Sequence, residues 1–333
     1  MKKRYILTVL IFFVAVLAGY LYYLMLPVSS DSHSMVIAIP KQSGVKDIAE
    51  ILSDKGIIKS PAAFEVKVWL KNKAGVLKAG KYAVSPNMNL NEIIKKLELG
   101  DVVDDTIKVT FPEGYTIRDM AYKLERLGIV SHEDFAAAVT SYDTSVYDYL
   151  DIPNDRFFRL EGYLYPDTYT FKVDANPKDI INTMLTRFNV IYESNIKGNL
   201  GGRKLEDVMK VASMIEKEAV IDEDRSKIAS VIYNRLNRGM KLQIDATVQY
   251  AIGSHKENLT LKDLNVSSKY NTYKVVGLPL GPVANPGLKS IMAALKPDKT
   301  DYIYYVARKD GSHYFTKSYQ DFLNQKKVYK EDK

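Results

Sequence analysis

Two glutamates, Glu216 and Glu218, stand in "KVASMIEKEAVIDEDRSKIASVIYNRL", Lys210 to Leu236, a run whose first half is dominated by Val, Ala, Met and Ile. A carboxylate on an apolar segment needs a partner or a task, because burying its charge alone is costly. The chemistry open to it is general acid catalysis. Desolvation raises a carboxyl pKa, and a carboxyl still protonated near neutral pH can donate its proton to a leaving group. On a helical wheel Leu205, Val208, Met209, Ala212, Ile215 and Ala219 form one stripe that includes Glu216. Glu218 falls on the other side, beside Val211 and Met214, which are apolar too. A helix apolar on most faces is a central one. The wheel does not choose between the two carboxylates. The bland alternative for either is a structural ion pair, for which Arg225 and Arg235 are at hand.

The elements that must position this helix are polar and aromatic. They are "EGYLYPDTYTF" (Glu161–Phe171), "LQIDATVQYAIG" (Leu242–Gly253) and "YNTYKVVGLPLGPVANPG" (Tyr270–Gly287). The prolines and glycines of the last predict a shaped loop, not a helix, and long shaped loops in a domain are often functional. "DYIYYVARKDGSHYF", Asp301 to Phe315, predicts a hairpin turning at Lys309-Asp310-Gly311. His313 at its second strand is read as structural. No cluster has metal-ligand spacing and no Gly-rich phosphate loop is present.

Nearer the N-terminus, two segments repeat at matched positions. In "VIAIPKQSGVKDIAEILSDKGIIKSPAAF" and "KVTFPEGYTIRDMAYKLERLGIVSHEDF", Pro40 matches Pro112, Asp47 matches Asp119, and Leu52, Gly56 and Ile57 match Leu124, Gly128 and Ile129. Each predicts strand, helix, helix, with Ser60 and Ser131 as N-caps of the second helix. A further strand and a helix capped at Asn89 or Asn91 would close the first unit as a β-α-α-β module. That shape resembles the LysM wall-binding module; a plain spacer is the alternative. Lys2, Lys3 and Arg4 precede the uncharged run Tyr5–Leu26, about 33 Å long as a helix. This predicts a transmembrane helix with the N-terminus inside and the rest outside the cytoplasm. The chain has 333 residues, a net charge of +7 and no cysteine, which excludes disulfides and thiolate chemistry. Positive charge suits an anionic polymer, and the expected topology argues against nucleic acid.

The motifs "LEGYLYPDTYTF", "ASMIEKEA", "VIYNRLNRGMKLQIDATVQYA" and "YNTYKVVGLPLGPVANPG" resemble, in order and spacing, those of the endolytic murein transglycosylases. The resemblance covers nearly the whole chain. It departs from the family pattern at Ala246, Leu280 and Phe322. It implies an α+β fold: a single N-terminal transmembrane helix, a small LysM-like β-α-α-β module, and a mixed catalytic domain with a lysozyme-like helical core. The expected division is a cytoplasmic tail 1–4, transmembrane helix 5–26, linker 27–35, LysM-like module 36–104, second repeat 105–150 and catalytic domain 151–333.

The resemblance further implies Glu218, followed by Ala219, as the catalytic acid, with Glu216 in support. It implies a lyase that cuts the MurNAc–GlcNAc β-1,4 bond of nascent peptidoglycan and leaves 1,6-anhydro-MurNAc ends during wall elongation. Gln243, Asp245, Thr247, Tyr270, Asn271, Thr272 and Tyr273 are the candidate substrate-binding residues. No cofactor or metal is expected. The expected partners are glycan strands, the membrane and wall synthases, at the cytoplasmic (inner) membrane of a bacterium. The rivals are a muramidase using Glu161 or Asp245 as a second carboxylate, and a non-catalytic wall-binding scaffold.

Overall fold

Alternating and helical apolar patterns build two separate cores in the computed structural model. It describes residues 2–103 and 105–331, with side chains from Thr8 to Val328 apart from Asp104. The chain divides into compact units at Asp105/Thr106. The expected tail 1–4 lies outside the described side chains, and the expected module limit at Asp104 lies outside the described residues.

The first unit runs α1 (Lys2–Leu24), β1 (Met35–Ile39), α2 (Val45–Asp54), α3 (Pro61–Leu70), β2 (Gly80–Val84) and α4 (Leu90–Leu99). β1 and β2 pair antiparallel with Ile37 opposite Tyr82. Their period of two sends Ile37, Ile39, Tyr82 and Val84 into the core. Ile48, Ala49 and Leu52 meet them from α2 at helical spacing. Ser60 Oγ accepts from Ala63 N to start α3, and Asn89 caps α4 with Glu92 bonding back.

The transmembrane expectation for 5–26 is corrected here. Among the described residues no helix is long and apolar enough to cross a membrane. The physical reason lies at the C-terminal end of the run. Met25 and Leu26 lie beyond the helix. Leu24 and Met25 pack against the core of the first unit, and Lys59 Nζ sits 3.8 Å from the centre of the Tyr23 ring. The single-pass inner-membrane location and the membrane as partner, which rested on that span, are withdrawn with it.

The second unit opens by repeating the first. β3 (Thr106–Thr110), α5 (Ile117–Arg126) and α6 (His132–Ser141) are followed by β4 (Thr168–Lys172), which returns antiparallel to β3 with Lys108 opposite Thr170. Thr116 and Ser131 cap α5 and α6 through the amides of Asp119 and Asp134. Then come α7 (Pro177–Ile191), α8 (Leu205–Glu218), α9 (Arg225–Asn237), α10 (Asp245–Ile252), α11 (Leu261–Leu264) and α12 (Leu288–Leu295). A hairpin, β5 (Tyr304–Ala307) and β6 (His313–Thr316), precedes α13 (Tyr319–Glu331). The architecture is α+β. α8 is the central helix and packs on α9, α10 and α12. Its Val208, Met209, Val211, Ala212, Met214 and Ile215 are wholly buried.

Candidate active site around Glu218

α8 stops at Glu218 because Ala219 turns to extended backbone (φ −75°, ψ 123°), and Ala219 N closes the last helical bond to Ile215 O at 2.9 Å. A carboxylate at this end runs against the helix dipole, so helix stability does not explain it. The Glu218 side chain is half-buried, and Tyr305 of β5 donates its hydroxyl to Oε2 at 3.2 Å. Burial pushes the Glu218 carboxyl up to about 7, the charge of Asp245 adds to the rise, and the Tyr305 hydrogen bond opposes it. Among the described residues no cation pairs with Glu218.

Glu216, one position before Lys217, has the opposite surroundings. Arg225 of α9 lies 3.4 Å from Oε1, and the amide of Gly287, at the start of α12, donates to Oε2 at 3.0 Å. Arg225 also bonds Asp222 and Ser290. Arg235, the other cation near in sequence, donates to the carbonyls of Ile303 and Leu242. It thereby fixes the start of the hairpin that carries Tyr305.

The seven candidate substrate residues separate into two groups. Thr247 and Thr272 are fully buried and bond each other at 2.9 Å. Thr272 also accepts from Gln243 N through its carbonyl and from Ile244 N through its hydroxyl, which joins the start of α10 to the 270–287 loop. Asn271 is fully buried and donates to the carbonyls of Leu264 and Val266. Tyr270 is buried against the ring of Phe157. These four brace the loop. Gln243 and Asp245 are exposed and Tyr273 is half-buried. Tyr273 donates its hydroxyl to Asp245 Oδ1 at 2.5 Å, and the phenol is held un-ionised by burial and by that carboxylate. Gln243 has φ of 54°, the left-handed region uncommon for a residue with a side chain. That strain re-aims the backbone just before Asp245.

Glu161 is fully buried beneath this surface. It accepts from Ile117 N, Tyr250 OH and Asn285 Nδ2, and burial raises its carboxyl to about 8. With its oxygens held by protein donors it ties α5 to the loop and has no access to water. His313 is likewise enclosed, its amide donating to Asp224 Oδ2 at 2.6 Å and its ring edge-on to Tyr305. Sequence reasoning missed Tyr305; its place in the aromatic first strand of the expected hairpin, where it pairs with Phe315, was its local signal. Among the described residues, the groups that converge as metal ligands could are Glu125, His132 and Glu133, on the exposed α5–α6 turn and not around Glu218.

The profile of the YceG-like family matches residues 37–328. A Bacillus subtilis (strain 168) protein named endolytic murein transglycosylase is 39% identical over 319 residues, covering 91% of this chain and 87% of that protein. A protein of the same name from Streptococcus pneumoniae R6 is 32% identical over 354 residues; the match takes in 96% of this chain but 64% of that longer protein. The 2.6 Å crystal structure of a YceG-like protein from Listeria monocytogenes aligns with a TM-score of 0.62 at 37% identity, covering 89% of this chain and all of the other.

Proposed function

Since the chain belongs to the YceG-like family, we propose that it is an endolytic lytic transglycosylase of peptidoglycan with Glu218 as its catalytic acid. The observation that carries the assignment is the contrast between the two glutamates. Glu216 is held by Arg225 and Gly287, whereas among the described residues no cation pairs with Glu218, whose carboxyl is raised to about 7. In the proposed reaction Glu218 protonates the glycosidic oxygen that leaves C1 of N-acetylmuramic acid. The resulting carboxylate takes the proton of that sugar's C6 hydroxyl, and the oxygen closes on C1 to give a 1,6-anhydro end. Nucleophile and electrophile share one molecule, so a second carboxylate is not required. Gln243, Asp245 and Tyr273 face the sugar in this reading. Asp245 also offers charge to the oxocarbenium-like carbon, and it is the one exposed carboxylate acting on Glu218 that could instead serve a hydrolase.

The test is mass spectrometry of new ends from uncrosslinked glycan strands. Anhydro ends support the lyase. Ends heavier by one water make it a muramidase with Asp245 as second carboxylate.

The pH profile follows from the acid. kcat/KM should be flat below about pH 7 and fall above it, as Glu218 loses its proton. Asp245→Asn removes a charge that raises this pKa, so the alkaline limb should move to lower pH. A limb that stays in place would show that another group titrates.

The first unit is proposed to bind glycan as a LysM-like module. Trp69, the single tryptophan of the chain, is 76% exposed at the end of α3 beside exposed Val66 and Leu70. It lines a hollow with Val45 and Ala74. A sugar face stacked there should lose roughly tenfold in affinity in Trp69→Ala, read by co-sedimentation with purified murein sacculi. Unchanged co-sedimentation would leave the unit a spacer.

A further inference from the structure

A second pocket of the catalytic unit is lined by Arg118, Lys217, Phe158, Ala246, His255 and Val283, among others. Lys217 precedes Glu218 on α8 and Ala246 follows Asp245 on α10, so the same two helices carry the pocket lining and the proposed acid with its neighbouring charge. Its volume of about 100 Å³ admits a small substituent. Among the described residues neither cation forms a salt bridge. The Lys217 ammonium donates to Gly114 O at 3.3 Å, and the Arg118 guanidinium lies 6.0 Å from the Phe158 ring and acts on the buried Glu161 through its charge alone. The one carboxylate in the lining, Asp119, accepts from the amide and hydroxyl of Thr116 and caps α5. Gly253 leaves the space the guanidinium occupies, since a Cβ there would overlap it. Two cations without a salt bridge, beside an apolar wall of Phe158, Ala246 and Val283, match a carboxylate carried on a short apolar stem.

Building on the proposed murein substrate, we propose that this pocket binds a carboxylate borne by the muramic acid substituent. Two sources share this chemistry: the lactyl acid of a strand without peptides, and the acids of an attached stem peptide.

The experiment titrates the full chain carrying Glu218→Gln, which does not consume ligand, by calorimetry. Three murein tetrasaccharides are used: with stems, stripped to the free lactyl acid, and stripped then converted to the lactyl amide. Adding Arg118→Gln with Lys217→Gln should weaken binding of an acid ligand by about tenfold or more and leave the amide unchanged. Whichever acid ligand loses affinity identifies the source. Lys217→Gln alone, at an exposed position, should show a smaller loss of the same pattern and guards against misfolding of the double variant. Equal affinity of the parent for all three ligands, equal losses on acid and amide, or no binding at all overturns the proposal. Wild-type lysis is assayed in parallel. Acid-selective binding without lysis keeps the pocket and removes the transglycosylase reading; lysis without acid selectivity does the reverse.

Discussion

Glu218→Gln is expected to slow glycan-strand lysis by about a thousandfold or more while the fold stays intact. The change is isosteric, and the amide oxygen can still accept from Tyr305, so only the proton is removed. The proposed reaction uses that one group twice, as acid and then as base, so both steps fail together. The stability consequence has a definite sign. The folded-state pKa is raised to about 7 from the ordinary 4.5. Between those values the folded protein holds more protons than the unfolded chain, so this group's contribution to stability falls as pH rises through that window. Glutamine has no such slope. The melting temperature of the variant should therefore gain on wild type from about pH 4.5 to 7, then keep its lead. Loss of activity together with a gain in stability is the mark of a group placed for chemistry at a cost to the fold. A variant retaining a tenth of the wild-type rate would move the acid elsewhere, with Asp245 first to be tested.

What could be read from the sequence was local. Ser60, Asn89 and Ser131 cap the helices expected of them because a cap needs only its own next turn. α8 is central because its apolar residues surround it. The 270–287 loop was marked by its prolines and glycines. What escaped depends on distant partners. The second repeat closes only when β4 returns to β3, with Thr110 and Thr168 bonded side chain to side chain across the pairing. Tyr305 reaches Glu218 from a hairpin whose position Arg235 fixes through Ile303. Polarity misled at Thr247, Asn271 and Thr272. Their hydroxyls and amides suggest sugar contact, yet they satisfy backbone and one another inside the loop. The apolar run 5–26 misled in the same way, because its last residues pack on the first unit's own core.

Arg225→Ala should produce the largest loss of stability, about 3–5 kcal/mol by urea titration, because it strands a buried carboxylate. The side chains of Arg225 and Glu216 are 10% and 7% exposed. Without the guanidinium, Glu216 keeps the Gly287 amide, and the Glu113 carboxylate lies against Gly287 as well. Burial, then the charge of Glu216, already raises the Glu113 carboxyl, and Arg225 is the first cause that lowers it. Losing Arg225 removes a charge that lowers Glu113, so Glu113 takes up a proton more readily and the deficit should shrink as pH falls and widen as it rises. Glu216→Gln should cost less, since Arg225 keeps Asp222 and Ser290. Assayed below its melting point, the Arg225→Ala protein should keep the alkaline limb near pH 7, because none of its partners bonds Glu218. Two carboxylates two positions apart would then separate cleanly: one carries stability and leaves the pH profile alone, the other sets the profile at the expense of stability. If Arg225→Ala moved the limb, Glu216 and Glu218 would titrate as a coupled pair, and the acid would belong to both.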